Sequence, residues 1–596
     1  MKKELFMEKS PRRGLKNKAS RILINILVTL VLGLLYFYVS LPAINLHDSN
    51  FYGFFFVLCI IYVVCALITS GFHMDASGGI KEYFRFIKSQ CLPIGILMLL
   101  LIVIAILGTV ISMPIFRAAS YRDLLTVENG DFAAEVEEIS FDQIPMLDEQ
   151  SAQRLGDRKL GELSDMVSQF EVADDYTQIN YQGRPVRVTP LNYGDLIKWF
   201  NNRSQGLPAY IIVDMVSQEA EVVRLPEGMK YSPSEPLNRN VMRHLRFTYP
   251  TYMFSTPTFE IDESGHPYWV CPKLEMTIGL FGGRDIDGAV LMDAVTGECE
   301  YYEDVPTWVD RVYLASLIME QYDYHGTLVN GFINSIFGQR DVTHTTEGFN
   351  YIALSDDVYM YTGVTSVGSD QSNVGFLLSN QRTKETKYYK APGATEQSAM
   401  ASAQGKVQHL QYQATFPLLL NISGQPTYFI ALKDAAQLVK MYAMVNVSQY
   451  QIVGIGNTVA ECEKDYILQL AENNITTPEV LPETTISGAV EEILSAVLDG
   501  NTYYFVRLEG EDVYYSLSAL DNPAAVILKV GDSVTIDHAP QTGEEVNPIL
   551  NGYSLTIDGK ATPDPIVSPE PAVSATEAAP DASSAFPGAA SVVPAA

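Results

Sequence analysis

Positive charge is scarce outside the first fifth of this sequence. The 596 residues include 40 Lys and Arg against 70 Asp and Glu. Twelve of the basic and five of the acidic residues lie within 1–117, so that segment has a net charge of +7 and the remainder −37. Nucleic-acid phosphates are bound by basic surfaces. The acidic remainder therefore argues against a nucleic-acid partner, and it suits a soluble body beside a membrane, repelled by anionic lipid.

Cysteine is also sparse, and its spacing defines no framework. The chain has six cysteines and no Cys-x-x-Cys pair. Three lie in or beside apolar runs, where cysteine is usually a small hydrophobic residue. The others are Cys271, Cys299 and Cys462. An odd number in the body predicts neither a disulfide framework nor a zinc site. Cys271 and Cys299 can pair if their strands are neighbours; otherwise they are free buried thiols.

Catalytic motifs are missing from the sequence. It contains no His-Glu-x-x-His, no Walker loop and no Gly-x-Ser-x-Gly elbow, and the Gly-rich stretch 363–368 has the wrong spacing for that elbow. A second Gly-rich stretch, 282–288, contains Asp285 and Asp287. Two carboxylates there suit either a cation or an ordinary turn, and an EF-hand needs a longer series of ligands. We predict no catalytic residue, no cofactor and no metal.

Three long apolar runs lie near the N-terminus, at 22–46, 51–72 and 91–116. Each has at least the roughly 20 residues that a membrane helix needs, and none has a central charge. We therefore predict three transmembrane helices within 22–116. The alternative is that they are buried helices of a soluble core.

Positive charge also predicts the orientation of these helices. Residues 1–21 are basic, and the second connection contains Lys81, Arg85 and Lys88, whereas the short connection 47–50 has neither Lys nor Arg. The positive-inside rule places the N-terminus and the second connection in the cytoplasm. Three crossings then put everything after residue 117 outside, as the extracytoplasmic part of a multi-pass cell-membrane protein.

The region beyond the apolar runs predicts an α+β body with an internal duplication. Residues 117–175 form an expected acidic stalk. From about residue 176 the hydrophobic period is two, and helical stretches alternate with strands. His244 is matched by His409, 165 residues later, and Gly265 by Gly424, 159 residues later. A nearly constant offset is typical of a duplicated unit with loop insertions. We predict two repeats, at 176–325 and 346–475, each carrying two strand–turn–strand–helix units.

Two short patterns within these repeats resemble a known family. Residues 290–298 read Val-Leu-Met-Asp-Ala-Val-Thr-Gly-Glu. A Gly-x-Pro pattern begins at 265, where Tyr268 follows the Pro directly, and at 424, where it reads Gly-x-Pro-x-Tyr. These lines resemble the PepSY domain, a small cystatin-like α+β module of extracytoplasmic bacterial proteins and metallopeptidase propeptides. The resemblance implies binding or inhibition of an envelope protein and no catalysis. In the second repeat, residues 379–384 stand where the turn is expected and lack Thr-Gly-Glu.

The C-terminal region differs in composition. Residues 478–485 read as a linker, and 486–558 predict five or six short strands of a small OB-like β-barrel. Such barrels often bind oligonucleotides or sugars, but the few cations here favour a packing role. Residues 560–596 are rich in Pro, Ala and Ser and are predicted to be disordered.

Histidine and tyrosine supply the remaining candidates. The matched residues His244 and His409 suit a structural role or a paired metal or acid–base role. The chain contains 34 tyrosines, and binding surfaces often use tyrosine because it offers a large contact area with a polar tip. A guest strand added to an exposed sheet edge can be held by the candidate partner-binding residues Tyr268, Tyr388, Tyr389 and Tyr428. The alternative is that these side chains fill the core.

The sequence thus predicts a non-enzymatic, membrane-anchored envelope protein. Its duplicated module is expected to bind a protein or peptide partner in the cell envelope. Two alternatives stay open: a subunit of a membrane complex that docks through its helices, and an envelope hydrolase whose site is assembled from distant residues.

Overall fold

A computed structural model describes most of the chain. The described residues are 18–69, 79–136, 144–354, 356–366, 372–473, 475, 484–498, 501–519, 522–538 and 548–558. The fold is mixed, with 33% helix and 36% strand, which confirms the expected combination of helices and sheets. The basic residues 1–17, most of the linker and the Pro-rich tail lie outside the described residues. The chain divides into two units, Met1–Thr477 and Pro478–Ala596.

The chain begins with three apolar helices: α1 (Lys18–Ser40), α2 (Ser49–Thr69) and α3 (Gly79–Ile111). Their apolar spans, Ala19–Ser40, Ser49–Thr69 and Ile87–Ile111, are long and apolar enough to cross a membrane. This confirms the predicted helices. Lys81, Arg85 and Lys88 were expected in a connection between helices, but they lie in the first turns of α3, and Lys88 lies within the span Ile87–Ile111.

The later helices are shorter and most begin at a capping side chain. They are α4 (Pro114–Arg122), α5 (Phe132–Glu135), α6 (Glu149–Gly161), α7 (Leu196–Asn202), α8 (Val241–Thr248), α9 (Ala315–Thr327), α10 (Glu396–Lys406) and α11 (Val459–Glu472). An Asp, Asn or Thr side chain accepts a backbone N–H at the start of α6, α7, α8, α10 and α11.

The strands of the first unit, in chain order, are β1 (Val127–Gly130), β2 (Phe170–Val172), β3 (Thr177–Tyr181), β4 (Arg184–Tyr193), β5 (Leu207–Asp214), β6 (Ala220–Met229), β7 (Met253–Phe254), β8 (Thr258–Ile261), β9 (Pro267–Ile278), β10 (Gly282–Asp293), β11 (Cys299–Tyr302), β12 (Thr343–Thr345), β13 (Asn350–Leu354), β14 (Asp357–Ser366), β15 (Ser372–Asn380), β16 (Thr386–Tyr389), β17 (Gly393–Ala394), β18 (Gln413–Ala414), β19 (Leu418–Ile422), β20 (Gln425–Lys433), β21 (Val439–Asn446) and β22 (Val453–Gly456).

One pattern of strand pairing recurs in four successive sheets. In each sheet a helix precedes two short strands, and both short strands pair with the long strand that follows. The first pairs with the end of that long strand and the second with its beginning. A second long strand and a last strand complete the antiparallel sheet. We call these units module one (149–229), module two (241–302), module three (315–389) and module four (396–456).

The modules refine the organisation expected from the sequence. Each expected repeat, 176–325 and 346–475, spans most of two modules. Helix α6 and strand β2 lie within the expected stalk, 117–175, yet they belong to module one. That segment therefore contributes to the sheets, because β2 pairs with β4 and α6 packs on the same core. Modules one and two share one hydrophobic core, and modules three and four share another.

The turn before the last strand has one hydrogen-bond pattern in three modules. A side-chain Oδ1 accepts the N–H groups two and three residues later, and the residue after those has positive φ. The acceptors are Asp214, Asp293 and Asn380, and the residues with positive φ are Gln218, Gly297 and Lys384. The second repeat lacks the Thr-Gly-Glu sequence, as expected, yet it forms the same turn at Asn380. Lys384 adopts the left-handed conformation (φ +68°) that glycine usually supplies.

Module two docks onto the ends of the apolar helices. Arg243 Nε donates to the Tyr38 carbonyl at the end of α1 (3.2 Å). Ile44 N, between α1 and α2, donates to the Pro250 carbonyl (2.7 Å), and Leu280 N donates to Ser112 Oγ, just after α3 (2.9 Å). The C-terminal ends of α1 and α3 and the start of α2 therefore lie on the side of the body.

The second unit contains a closed five-stranded barrel. Its strands are β23 (Thr484–Leu498), β24 (Asn501–Leu508), β25 (Tyr514–Ser518), β26 (Ser533–His538) and β27 (Ile549–Ile557). They pair in the order β23-β24-β25-β27-β26, with β25 and β27 parallel and the ring closed between β26 and β23. Its own core includes Val506, Leu517, Val534 and Ile536. Each unit thus has its own core.

Candidate functional site

An open groove of about 590 Å³ runs along α9 in module three. Residues of the helix form one wall, and residues 345–349, between β12 and β13, contribute the other. Met319, Tyr324 and Phe349 supply apolar surface, and Ser316 lies exposed near the start of α9. A groove that combines apolar walls with a few polar groups has the composition of a ligand site.

Two carboxylates line this groove and differ in their partners. Glu320 forms an ion pair with Arg284 of module two. Asp323 accepts hydrogen bonds from Thr345 N (2.8 Å) and Thr345 Oγ1 (3.1 Å). Burial raises the pKa of Asp323 above its usual value, against the effect of these hydrogen bonds. The groove is therefore acidic along one wall, and its carboxylates are held in place by neighbouring strands.

A pair of buried acids joins modules one and two to the segment that leads into module three. Glu260, in β8, accepts the N–H groups of Asp310 (2.8 Å) and Arg311 (3.0 Å). Asp310 Oδ2 in turn accepts the N–H of Asn180, in β3 of module one (2.6 Å). Burial raises the pKa of Glu260 to about 7. Burial first, and the Glu260 charge second, raise the pKa of Asp310 well above its usual value.

The surroundings of this pair make it a joint between modules. Arg311 donates to Tyr351 Oη of module three (2.6 Å), and its guanidinium lies over that ring at 4.1 Å. Glu260 and Asp310 are at most 1% exposed. A substrate therefore has no direct access to either carboxyl. The arrangement can gain or lose a proton, but it lacks the open position that acid–base catalysis on a substrate requires.

The four tyrosines predicted to bind a partner do not form one surface. Tyr389 is buried against Phe376 and donates to Glu135, and Tyr428 is buried and donates to the Ala394 carbonyl (3.2 Å). Tyr388 is half-buried, and its hydroxyl donates to the Val374 carbonyl.

Tyr268 is the fourth of these tyrosines and lies half-buried on β9. Its ring packs between His266 (5.1 Å) and Trp308 (5.0 Å). Tyr268 therefore belongs to an aromatic cluster formed by module two and Trp308, which follows it, whereas the other three tyrosines lie in modules three and four.

The sheet edges differ in whether a strand can be added. The edge strand of module three, β16, already pairs in parallel with β1, from Val127↔Thr386 to Gly130↔Tyr389. The chain itself thus supplies a strand where Tyr388 and Tyr389 were expected to meet a guest. Modules one and two end in the edge strands β6 and β11. Strand β6 carries charged residues and Pro226, features that blunt an edge against further pairing.

The histidine and aspartate candidates have structural partners. His244, in α8, hydrogen-bonds the Gly297 carbonyl through Nε2 (2.8 Å), whereas His409 is exposed after α10. Asp285 pairs with Lys384 (2.7 Å), and Asp287 pairs with Lys273. These contacts favour the structural reading of His244 and the ordinary-turn reading of 282–288. Among the described residues, no cluster of three or more His, Cys, Asp or Glu could hold a metal ion.

The cysteines of the body are free thiols. Cys271 lies in β9 and Cys299 in β11, and β10 separates the two strands. The condition under which they were expected to pair, adjacent strands, is therefore not met. Burial raises the pKa of the Cys271 thiol well above its usual value and that of Cys299 to about 11, so neither thiol is activated.

No protein-family model matches the chain, and no curated protein is similar to it.

Sequence reasoning did not single out the α9 groove or the buried acid pair. Glu260 has a local signal, because it is a single acid within the apolar strand Thr258–Ile261. Asp310 is likewise flanked by Val309 and Val312, which are buried. The groove has no such signal, since α9 and residues 345–349 come together only in the folded module.

Proposed function

We propose that this chain is a membrane-anchored protein whose body binds a segment of a protein partner in the groove along α9. The observation that carries the proposal is the groove itself, with Met319, Tyr324 and Phe349 beside the carboxylates of Glu320 and Asp323. Apolar walls can take up side chains of the guest, and fixed carboxylates can orient a basic group. The partner segment is therefore expected to combine apolar and basic residues.

Charge supports the same partner chemistry. The net charge of −37 after residue 117 attracts basic segments over a range of about a Debye length. Such a field increases the association rate of a basic partner more than its final affinity. We therefore expect binding that weakens as the salt concentration rises.

The proposed location is the outer side of a cell membrane, with the N-terminus in the cytoplasm. Support comes from the basic residues near the N-terminus and at Lys81, Arg85 and Lys88. The hydrogen bonds between module two and the ends of α1 and α3 are consistent with a body held next to one membrane face. A protease site inserted after residue 130 should be cut in intact cells from outside; protection of that site would reverse the orientation.

We extend the proposed relationship with PepSY domains to all four modules. The recurring Asp/Asn-x-x-Ser/Thr-x-Glu turn at 214, 293 and 380 supports it, as does the shared strand pairing. The strand order of the C-terminal barrel supports the OB-like proposal for residues 486–558. A non-enzymatic role as a binding protein in the cell envelope is what the PepSY resemblance implies.

Photo-crosslinking in native membranes tests the groove. A benzophenone amino acid replaces Ser316, an exposed residue that lines the groove, in the full chain. The matched control replaces Gln397, an exposed residue near the start of α10, the corresponding helix of module four. We expect one discrete adduct from position 316, lost in high salt, and none from position 397.

Other crosslinking outcomes would favour one of the alternative functions. Absence of an adduct at 316, or equal adducts at both positions, would overturn binding in the groove. Discrete adducts from probes on the lipid-facing residues of α1 or α3, such as Leu34, would then favour a subunit that docks through its helices. Turnover of a peptide or glycan by the purified full chain would favour an envelope hydrolase.

A further inference from the structure

Large apolar side chains are exposed on the short helix α7 of module one. Leu196, Ile197 and Phe200 project from the same side of this helix, and Ile197 is 74% exposed. Their positions i, i+1 and i+4 explain the shared face. Trp199, on another face, packs inward and donates its indole N–H to Glu235 (2.6 Å). The helix is thus fixed to the body by Trp199, while its apolar side stays uncovered.

Helix α7 is connected to the end of α1 by a short chain of contacts. Arg239 donates to the Arg203 carbonyl at the end of α7 (2.7 Å). Its neighbour Asn238 accepts a hydrogen bond from the Tyr38 hydroxyl of α1 (2.9 Å). Arg243, five residues further on, lies over the Tyr38 ring at 4.4 Å. Helix α7 is therefore positioned near the end of an apolar helix that can cross a membrane.

A second uncovered apolar group lies after α9, in residues 331–338. Ile333, Ile336 and Phe337 are exposed, and Phe337 is 80% exposed. Asn334 fixes this segment by donating to the Arg340 carbonyl (2.9 Å). The segment follows Leu328, which packs against Tyr121 of α4.

This second group is connected to the end of α3 through α4. The Tyr121 hydroxyl donates to the Ser112 carbonyl, directly after α3 (2.6 Å). His325, near the end of α9, hydrogen-bonds the Arg122 carbonyl (3.1 Å). Phe116, between Ser112 and Tyr121, is itself exposed. The exposed residues of the 331–338 segment are therefore linked, through α4, to the region where α3 ends.

Each apolar group has an arginine beside it, although the body is acidic. Arg203 lies over the Phe200 ring at 4.2 Å. The Arg340 side chain is exposed next to the 331–338 segment, where its Nε lies 3.4 Å from the exposed carboxylate of Asp341. Exposed aliphatic and aromatic residues flanked by cations are typical of segments that lie in the membrane interface. A soluble protein rarely leaves such groups uncovered.

We propose that the body also rests on the bilayer through two apolar patches, the α7 patch (Leu196, Ile197, Phe200) and the 331–338 patch (Ile333, Ile336, Phe337). The occupant of both is the lipid of the leaflet into which the ends of α1 and α3 emerge. Both patches insert to the depth of the boundary between headgroups and acyl chains, and Arg203 and Arg340 bind lipid phosphates. The inference requires that the apolar helices span the membrane and does not depend on the α9 groove.

Quenching by brominated lipid tests both patches in the full chain. Leu196→Trp and Phe337→Trp are reconstituted separately into phosphatidylcholine vesicles whose acyl chains carry bromine, with unbrominated vesicles as reference. The three native tryptophans are present in every sample, so the emission added by the new indole is the difference from the unsubstituted protein. Leu468→Trp is the control, since Leu468 is 54% exposed on α11 and follows module four.

We expect the added emission at 196 and 337 to be blue-shifted and to fall at least twofold in brominated vesicles, with no change at 468. An unquenched, water-like emission from either position would overturn the two-patch contact. The vesicles hold no other protein, so quenching in them cannot arise from a partner. Dilution to less than one chain per vesicle should leave it unchanged; loss on dilution would mean that a second copy covers the patches. Near-ultraviolet circular dichroism identifies any variant that fails to fold.

Discussion

Modules two and three share their strand pairing and the turn before their last strand, but they build that turn from different residues. In module two the residue with positive φ is Gly297, and in module three it is Lys384. The hydrogen bonds to Asp293 and to Asn380 are equivalent. The side-chain acceptor at the first position therefore specifies this turn. Glycine lowers the strain but is not required.

The two modules also differ one residue before the end of their second short strand. Module two has Glu260 there and module three has Ala353, as judged from the strand pairing. Modules one and four carry the amides of Asn180 and Asn421 at this position, both buried. The side-chain Nδ2 of Asn421 donates to the Val136 carbonyl (2.7 Å), whereas at Asn180 the backbone N–H donates to Asp310 (2.6 Å). Three of the four modules therefore hold a connecting segment at this position, and module three does not.

Among the changes that test this difference between modules, removal of the Glu260 carboxyl should lower the free energy of unfolding most. Glu260→Ala leaves the N–H groups of Asp310 and Arg311 buried without an acceptor, and each such group costs about 1–3 kcal/mol. We expect the free energy of unfolding to fall by about 3 kcal/mol. Urea titration of the full chain in detergent, followed by tryptophan fluorescence, measures it. A loss below 1 kcal/mol would show that the joint is not held by Glu260.

Glu260→Gln is the control and also tests the titration. The folded pKa of Glu260, about 7, lies above the value of about 4.3 expected for the unfolded chain. Its contribution to stability is therefore complete below pH 4.3 and is lost as the pH rises through about 7. We expect this decline in the melting temperature to be smaller in Glu260→Gln. An unchanged pH profile would assign the decline to another group, such as Asp310.

Exchange of the two turn residues should produce the next largest effect. A Cβ at Gly297 would lie 2.2 Å from Cζ of Tyr231, at a φ of +80°. Gly297→Lys should therefore cost about 2 kcal/mol, from backbone strain and displacement of the Tyr231 ring. Lys384→Gly relieves strain but removes the ion pair with Asp285 (2.7 Å), so we expect a loss near 1 kcal/mol. Equal losses in the two variants would contradict the assignment of different roles to Gly297 and Lys384.

The smallest expected effect is a difference in stability at low pH, because Asp293 can be protonated and Asn380 cannot. Burial acts to raise the pKa of Asp293, but the N–H groups of Thr296 and Val295 and the His266 ring outweigh it and keep the pKa below its usual value. The stability from Asp293 is therefore present above about pH 3.9 and is lost as the pH falls through the folded pKa. Asn380 does not titrate. Asp293→Asn should reduce acid destabilisation, and Asn380→Asp should increase it, in melts between about pH 5 and pH 2; no change in either would contradict this account.

Local patterns were sufficient for part of this fold. Uncharged runs predicted the three apolar helices, and alternation predicted strands. Gly265 and Gly424 both lie with positive φ in the turn between the second short strand and the long strand, so their spacing reflects equivalent turns. Module one carries the same pattern at this turn, as Gly183-Arg184-Pro185 with Gly183 at a φ of +73°. Module three lacks it, and Asp356 takes the positive φ there. Three of the four modules thus share a short sequence pattern at this turn, and only the fold shows that module three is equivalent to them.

Non-local contacts account for the rest. The pairing of Val127 with Thr386 joins residues separated by more than 250 positions, and neither strand carries a signal for the other. The candidate tyrosines were chosen for their place beside strands, where β-propensity alone also puts tyrosine. Burial of Tyr389 and Tyr428 depends on the neighbouring module, which composition cannot reveal.

The pairing of β1 with β16 determines where this protein can be cut. Strand β1 follows α4 and completes the edge of module three. A soluble fragment that starts at residue 131 would lose this strand and leave four residues of β16 with unsatisfied backbone groups. Such an edge recruits strands from other molecules. A fragment that keeps residues 127–130 retains its native edge strand, so a shift of the starting point by a few residues decides between a monodisperse sample and one that associates.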